Sequence, residues 1–250
     1  MTQTTGAYIV VTQLPSKFLS YPDNVSIKFK PYSFGEIEQA SQLKGAPEKE
    51  VIQAAQSGII VEGMDFLDLE VADFAYLVLL RHLSTFDRTK FNLEFECPVC
   101  QRKNKKEVHT DEVEFNELNE RFKSLPVKFN LSNGVPIEVG GFTLRDRLKL
   151  VELGKETDDL ANLAIRIKNM PFEEAKQVIA GLDSGEDIDL LTVVASELDF
   201  NTQYVVSSCE HCKADNISIA LEDILEIATP FRRNANDVLN RILPSSQSGS

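Results

Sequence analysis

This 250-residue chain contains no tryptophan, three histidines and four cysteines, and several common catalytic motifs are absent from it. No glycine-rich phosphate loop follows a predicted strand, and neither His-Glu-x-x-His nor Gly-x-Ser-x-Gly occurs. These absences argue against nucleotide-dependent enzymes, zinc proteases and serine hydrolases of the usual kinds. We therefore predict that the protein is not an enzyme.

Positive charge and long apolar runs are also scarce. The chain has 26 basic and 39 acidic residues, for a formal net charge of −13, whereas nucleic acids and anionic membranes are bound by clustered Lys and Arg. The longest apolar run, Phe74 to Leu80, is far shorter than the roughly 20 residues of a membrane span. The N-terminal apolar run, Tyr8 to Val11, lacks the basic region of a signal peptide. We expect a cytoplasmic protein with no nucleic-acid or membrane partner.

The four cysteines form two C-x₂-C pairs, separated by residues 101–208. Two residues between cysteines allow a tight turn, or knuckle, that directs both sulfurs at one ion, and two such pairs complete a tetrahedral site. We predict one structural Zn²⁺ bound by Cys97, Cys100, Cys209 and Cys212. A catalytic zinc would keep one position open to water, whereas four thiolates close the site.

Two other functions for the cysteine regions stay open. Cys-Pro-x-Cys also occurs in dithiol redox proteins, although the lysine-rich segment after Cys100 favours a turn over the helix that such proteins place there. Alternatively, a zinc ribbon could bind nucleic acid through the basic cluster of Arg102, Lys103, Lys105 and Lys106. His109 and His211 lie near the pairs, but four thiolates leave no need for either as a ligand. Disulfides are disfavoured because nothing in the sequence indicates secretion.

Each cysteine pair lies in the same predicted order of elements, namely strand, knuckle, strand and acidic helix start. The first of these helices is predicted over Asp111 to Lys123. An Asn follows four residues after each pair, at Asn104 and Asn216. The fold class predicted from these patterns is α+β, mostly helical, with short β-hairpins and a split zinc-ribbon-like Cys₄ knuckle pair.

The remaining pattern predicts four parts. Residues 1–90 form an N-terminal strand and helical region, in which Ser33 to Glu36 is a helix capping box and Asp68 to Leu83 is a core helix. Residues 91–123 and 201–230 form the split zinc-knuckle module. Residues 124–200 are an inserted hairpin, with its turn at Asn133-Gly134, followed by four helices. Residues 231–250 are a C-terminal helix and tail. The acidic run from Asp65 to Asp73 is interpreted as a solvated helix face.

A series of short motifs extends through residues 14–115. They are Leu14-Pro15-Ser16, Tyr21-Pro22, a predicted strand, Phe34-Gly35-Glu36, Leu69 to Phe74, Leu80-Arg81 and the Cys-Pro-x-Cys knuckle. Together with the second knuckle, this series resembles the baseplate hub assembly proteins of T4-like contractile-tailed phages. The resemblance implies a viral assembly chaperone or minor hub component that contacts other baseplate or hub proteins. It also implies a location in the host cytoplasm during assembly, with the virion tail baseplate as an alternative.

Partner contacts are expected in two regions, the insert of residues 124–200 and the C-terminal segment around Val238, Leu239 and Ile242. Both regions carry apolar residues beyond what a single domain needs to bury. The sequence leaves the oligomeric state open.

Overall fold

The computed structural model describes residues 8–43, 46–86, 90–198, 200 and 203–221. Its strands are β1 (Ile9–Val10), β2 (Ser26–Phe29), β3 (Ile59–Glu62), β4 (Lys90–Glu96), β5 (Lys103–His109), β6 (Glu114–Phe115), β7 (Val127–Asn130), β8 (Pro136–Val139), β9 (Gln203–Ser207) and β10 (Ile217–Leu221). Its α-helices are α1 (Phe34–Gln42), α2 (Glu48–Gln56), α3 (Val71–Phe86), α4 (Leu144–Leu153), α5 (Asp159–Ile165), α6 (Phe172–Ala180) and α7 (Gly185–Glu197). Two 3₁₀ helices cover Phe66–Asp68 and Thr110–Glu112.

The fold mixes helix and sheet: of the residues that the structure describes, 38% are helical and 22% lie in strands. The α+β class is therefore observed, but the prediction of a mostly helical protein is not supported. Strands form two three-stranded sheets, in the orders β1-β2-β3 and β10-β9-β6, and two hairpins, β4-β5 and β7-β8. All of these pairings are antiparallel. Among the described helices, none is both long and apolar enough to cross a membrane.

The predicted core helix is present as α3. It follows the short 3₁₀ helix, and it buries side chains on most of its circumference, which agrees with its continuous apolar sequence. Phe74 and Leu77 pack in one cluster with Ile27 of β2 and Ile59 of β3. The first sheet therefore covers one side of this helix.

Arg81 of α3 is completely buried and joins three parts of the N-terminal region. Its Nε donates to the Lys30 carbonyl (2.9 Å), its Nη1 to the Ala55 carbonyl (3.1 Å) and its Nη2 to Glu36 Oε1 (3.0 Å). A Cβ atom at Gly58 would lie 1.8 Å from Nη2. A glycine is therefore required where the guanidinium passes the end of α2.

The insert has the predicted order of elements. The hairpin turns at Gly134, which has φ +82°, a value that glycine adopts without steric cost. Thr143 caps α4 through a hydrogen bond from the Asp146 amide (3.2 Å), and Gly154 ends the helix with φ +61°. Helices α5 and α6 follow as predicted, divided by Pro171 and with Gly181 after α6. The sequence predicted a loop over Asp183 to Asp187 and a helix over Leu190 to Leu198, but α7 begins earlier, at Gly185, because Ser184 caps it by accepting from the Asp187 amide.

The insert shares its cores with the N-terminal region. The amide of Val71 donates to the Phe142 carbonyl (2.9 Å), and the amide of Leu144 donates to the Leu69 carbonyl (2.8 Å). Leu144 lies in the N-terminal core cluster, whereas Ala72 of α3 lies in the cluster formed mainly by the insert. The insert therefore packs directly against α3 through α4 and the residues just before it.

The helix predicted over Asp111 to Lys123 is wrong. After a single 3₁₀ turn, Glu114–Phe115 adds a short strand to β9. The Phe115 ring packs edge-on against Tyr76 of α3, with 5.1 Å between centroids, and Leu118 is fully buried in the insert core. These contacts hold the segment extended, and they outweigh a local preference for helix that is worth only tenths of a kcal/mol per residue.

Candidate metal centre

Two antiparallel hairpins carry the two knuckles. Strands β4 and β5 pair from Lys90↔His109 to Glu96↔Lys103, and β9 and β10 pair from Ile217↔Ser207 to Leu221↔Gln203. The strand–knuckle–strand prediction is confirmed in both halves. The acidic helix predicted to start after the second half, at Glu222, lies outside the described residues.

Packing between the hairpins brings the knuckles together. Val108 of β5 and Val205 of β9 are both fully buried in one small cluster. Beside them, Lys106 Nζ donates to the Val206 carbonyl at 3.0 Å. The relative position of the two knuckles is thus fixed by contacts other than those of the cysteines.

Both knuckles have the same backbone conformation. The Cys97 amide donates to the Arg102 carbonyl (3.0 Å), and the Gln101 amide donates to the Cys97 carbonyl (2.8 Å). In the second knuckle the matching bonds are Cys209 to Ala214 (2.8 Å) and Lys213 to Cys209 (3.1 Å). Gln101 and Lys213 have φ of 59° and 61°, so each turn closes through one left-handed residue. The C-x₂-C spacing therefore produces the same local turn twice.

The four sulfur atoms converge on one point. Cys97 Sγ lies 3.7 Å from Cys212 Sγ, Cys100 Sγ lies 3.6 Å from Cys209 Sγ, and all four atoms lie within 4.8 Å of one another. A tetrahedron with metal–sulfur bonds of 2.3 Å has edges of about 3.8 Å, whereas a disulfide needs about 2.05 Å. All four cysteines are free. The geometry fits a metal ion that is coordinated by four thiolates.

Hydrogen bonds to sulfur favour the thiolate at Cys209. The amide of Cys212 donates to Cys209 Sγ at 3.5 Å and the amide of His211 at 3.4 Å. The Cys212 amide lowers the pKa of the Cys209 thiol most, burial raises it, and the His211 amide lowers it further, so that it reaches about 6. The pKa of Cys212 moves to about 11: the Ala214 amide lowers it, but burial and the neighbouring thiols raise it more. The hydrogen bonds therefore stabilise the thiolate of Cys209 relative to that of Cys212.

Asn104 links the two knuckles, a role that its sequence position alone did not reveal. Its side-chain nitrogen donates to the Arg102 carbonyl (2.8 Å), and its side-chain oxygen accepts from the Glu210 amide (3.0 Å). The side chain is buried. Asn216, at the matching position of the second half, instead has a left-handed backbone, with φ 57°, a conformation that asparagine tolerates well. The repeated asparagine was the available signal, but its two copies serve different purposes.

Neither nearby histidine is part of the four-sulfur cluster. The His211 imidazole donates from Nε2 to the Lys103 carbonyl at 3.2 Å, which adds a second link between the knuckles. His109 ends β5 and precedes the 3₁₀ turn of Thr110–Glu112. His211 therefore has a structural contact, and His109 lies outside the metal centre.

Acidic neighbours offset much of the basic cluster considered for nucleic-acid binding. Lys105 Nζ lies 2.5 Å from Glu94, its partner across the hairpin, and Lys106 Nζ lies 3.4 Å from Glu112. An open cleft of about 670 Å³ lies between the two hairpins. Its charged lining is of mixed sign: Lys105, Lys106, Glu107, Glu210 and Asp215. Such a surface lacks the continuous positive charge that binds a phosphate backbone.

Two buried carboxylates, Glu70 and Asp73, lie away from the metal centre. The prediction of a solvated acidic face over Asp65 to Asp73 is therefore wrong for these two residues. Asp73 is fully buried and accepts from the Ser16 amide (2.9 Å) and the Tyr21 hydroxyl (2.5 Å), while that hydroxyl accepts from the Glu70 amide (3.0 Å). Glu70 is 2% exposed, and its Oε2 has no hydrogen-bond partner. Burial raises the pKa of Glu70 to about 7 and that of Asp73 to about 6.

No family model, curated protein or solved structure matches this chain. The resemblance of its motifs to phage baseplate hub assembly proteins therefore stays a prediction.

Proposed function

We propose that the protein is a non-catalytic assembly protein of a contractile phage tail baseplate hub, built around one structural Zn²⁺. The observation that carries the structural part is the convergence of four sulfurs from two hairpins that lie more than 100 residues apart. Thiolates are the preferred ligands of Zn²⁺ and of iron–sulfur centres, and the closed four-sulfur geometry is that of structural zinc sites. The baseplate assignment rests on the motif resemblance of residues 14–115 and of the second knuckle.

Contacts with other hub proteins are the proposed mode of action. With four thiolates as ligands, the ion has no open position at which water could be activated. The mixed-charge cleft beside the knuckles and the exposed apolar residues of the insert provide contact surfaces. The host cytoplasm during assembly is the proposed location, and the finished tail baseplate is the alternative.

Metal analysis tests the structural part of the proposal. Protein purified without added metal is expected to contain one zinc per chain, with no visible absorption. Iron in place of zinc would give thiolate-to-iron charge-transfer bands and would replace zinc in the proposal. Substantially less than one metal per chain would remove the structural role of the cysteines.

The assembly role is tested in a phage that encodes this chain. A nonsense mutation in the gene is expected to block baseplate formation, so that electron microscopy shows few complete tails. Infectivity should return with a plasmid copy of the wild-type gene, and much less with a Cys97→Ser copy. Normal infective particles without the protein would contradict the assembly role, whatever the metal content.

A further inference from the structure

Helix α7 presents an acidic and partly apolar face that no described residue covers. The opposite face is buried: Leu191 and Leu198 are 0% and 1% exposed. On the outer side, Leu190 and Val193 are 40% and 58% exposed. They lie three residues apart and are therefore neighbours on one side of the helix. Exposed apolar pairs of this kind are typical of contact surfaces.

The charge of this face is negative. Glu186 lies one turn before Leu190, and Asp189 lies one turn before Val193. Both carboxylates are on exposed residues, and neither has an ion-pair partner among the described residues. We call Glu186, Asp189, Leu190 and Val193 the α7 face. A matching partner would be apolar and basic.

The C-terminal sequence has this complementary character. Ala235, Val238, Leu239 and Ile242 recur at helical spacing. Arg232, Arg233 and Arg241 lie among them, with Asp237 as the one acidic residue between Phe231 and Leu243. In a chain of net charge −13, a basic amphipathic segment of this length is unusual.

The topology places this segment within reach of α7. Leu221, the last described residue, pairs with Gln203 at the start of β9, and α7 ends six residues before Gln203, at Glu197. Residues 222–230 span about 30 Å when extended, which exceeds the roughly 20 Å length of a 13-residue helix. The six residues of chain from Glu197 to Gln203 span at most about 20 Å, so the linker can bring the segment from Phe231 to Leu243 to the end of α7, and the segment can then run along the α7 face.

We propose that residues 231–243 of the same chain bind the α7 face, with Val238, Leu239 and Ile242 against Leu190 and Val193, and with the arginines beside Glu186 and Asp189. This contact goes beyond the proposed function and does not depend on it. It joins the two regions that the sequence marked as partner-facing. A hub protein that binds either region would therefore have to displace the other.

Photocrosslinking in the full-length protein tests the contact. A benzoylphenylalanine placed at Val193 should crosslink to peptides from residues 231–243 in dilute, purified protein. Ile188 is the matched control, because it lies on the same helix and is 47% exposed but is on a different side; a probe there should not crosslink to this segment. A mixture of ¹⁵N-labelled and unlabelled protein should give crosslinks within single chains only. Mixed-isotope products would replace the proposal with a dimer contact, and no crosslink to residues 231–243 would overturn it.

Hydrogen exchange gives an independent test in the same full-length protein. Leu239→Asp should speed exchange in residues 185–197 by about tenfold, because it places a charge in the apolar contact. Ser246→Asp, which adds the same charge beyond the segment, should leave this exchange unchanged. Arg241→Glu should also speed exchange, and Asp189→Arg should restore part of the protection. Unchanged exchange in the Leu239→Asp protein would contradict the contact, as would faster exchange that is accompanied by loss of metal and extends equally to the knuckles.

Discussion

The side-chain oxygen of Asn104 accepts a hydrogen bond from the backbone amide of Glu210 at 3.0 Å, across 106 positions of sequence. The side-chain nitrogen of Asn104 donates a hydrogen bond to the Arg102 carbonyl. Because Arg102 closes the first knuckle and Glu210 lies inside the second, this one buried side chain bridges the two halves of the metal centre and helps to set their relative orientation. Mutation of residues that position metal ligands in this way typically lowers metal affinity by about 10- to 100-fold.

Asn104→Ala is expected to weaken metal binding by about 10- to 100-fold while leaving all four ligands in place. The change removes both side-chain hydrogen bonds and leaves the Glu210 amide without its acceptor. Competition with a chromogenic chelator measures the affinity. Asn133→Ala, in the exposed turn of β7–β8, is the control and should not change it. Equal affinities in the two variants would show that Asn104 does not position the ligands.

Cys97→Ser and Cys209→Ser should each abolish stoichiometric metal binding and strongly destabilise the protein. Apparent binding free energies of structural zinc are about 10 to 16 kcal/mol in small peptides, which is comparable to the whole stability of a domain. Thermal unfolding with and without a strong chelator measures the effect. Wild-type protein should unfold at lower temperature with chelator, whereas the serine variants should show no further shift. A wild-type melting temperature that does not respond to complete metal removal would contradict a structural ion.

The parts of the fold that the sequence predicted are those that depend on local chemistry. The C-x₂-C spacing defines each knuckle, Asn133-Gly134 defines the β7–β8 turn, and Thr143 together with Gly154 defines the ends of α4. Each of these signals acts within a few residues of chain. The pairing of the two knuckles was predictable as well, because no other cysteines exist to complete either one.

The failures arose where a distant contact overrides a local pattern. Phe115, Leu118 and Phe122 have the spacing of one face of an amphipathic helix. Nevertheless, Phe115 packs on Tyr76 of α3, and the Leu118 amide donates to the Pro15 carbonyl (2.9 Å). Glu70 and Asp73 belong to an acidic run that is typical of a solvated surface. Asp73 is nevertheless buried because the Ser16 amide and Tyr21 hydroxyl, more than 50 positions away, donate to it. Neither contact can be predicted from the residues near it in the sequence.

Glu70 should make the protein less stable as the pH rises. Its pKa is raised from 4.5 to about 7 in the folded protein: burial raises it most, Ser20 lowers it, and the Asp73 charge raises it again. Below pH 4.5 the carboxyl group is protonated in both the folded and the unfolded protein, so folding does not require the burial of a charged carboxylate. Between pH 4.5 and 7 the unfolded chain releases the proton first, so stability is progressively lost, by an amount on the order of 3 kcal/mol.

Glu70→Gln is therefore expected to stabilise the protein at pH 7.5 and to have little effect at pH 4.5. The glutamine side-chain amide has the same shape as the glutamate carboxyl group, so it fits in the same space. That space is narrow, because a Cβ atom added at Gly141 would lie 1.9 Å from Glu70 Oε1. Urea unfolding at several pH values measures the difference. Glu62→Gln, at a half-exposed side chain, should change stability by less than about 0.5 kcal/mol at every pH. A stability difference that does not depend on pH would mean that Glu70 is already ionised in the folded state.

Arg81→Lys is expected to destabilise the protein by about 2 to 3 kcal/mol, although it keeps the positive charge. The planar guanidinium donates in three directions, to Glu36 and to two backbone carbonyls, and it lies 4.0 Å from the centre of the Tyr32 ring. A lysine ammonium group is a point charge on a flexible stem and cannot reproduce this arrangement. Buried acceptors that lose their donor cost about 1 to 3 kcal/mol each when water cannot replace it.

The control for this variant is Arg145→Lys. Arg145 also contacts two carboxylates, Asp65 and Asp68, but its side chain is 52% exposed, whereas that of Arg81 is 0% exposed. Exposed ion pairs contribute at most about 1 kcal/mol, so urea unfolding should show little change for Arg145→Lys.

Combining Arg81→Met with Glu36→Gln should lower the free energy of unfolding by less than the sum of the two single changes, because each single change leaves its partner's polar group unpaired. Full additivity would mean that Arg81 stabilises the fold through the backbone carbonyls and Tyr32 alone.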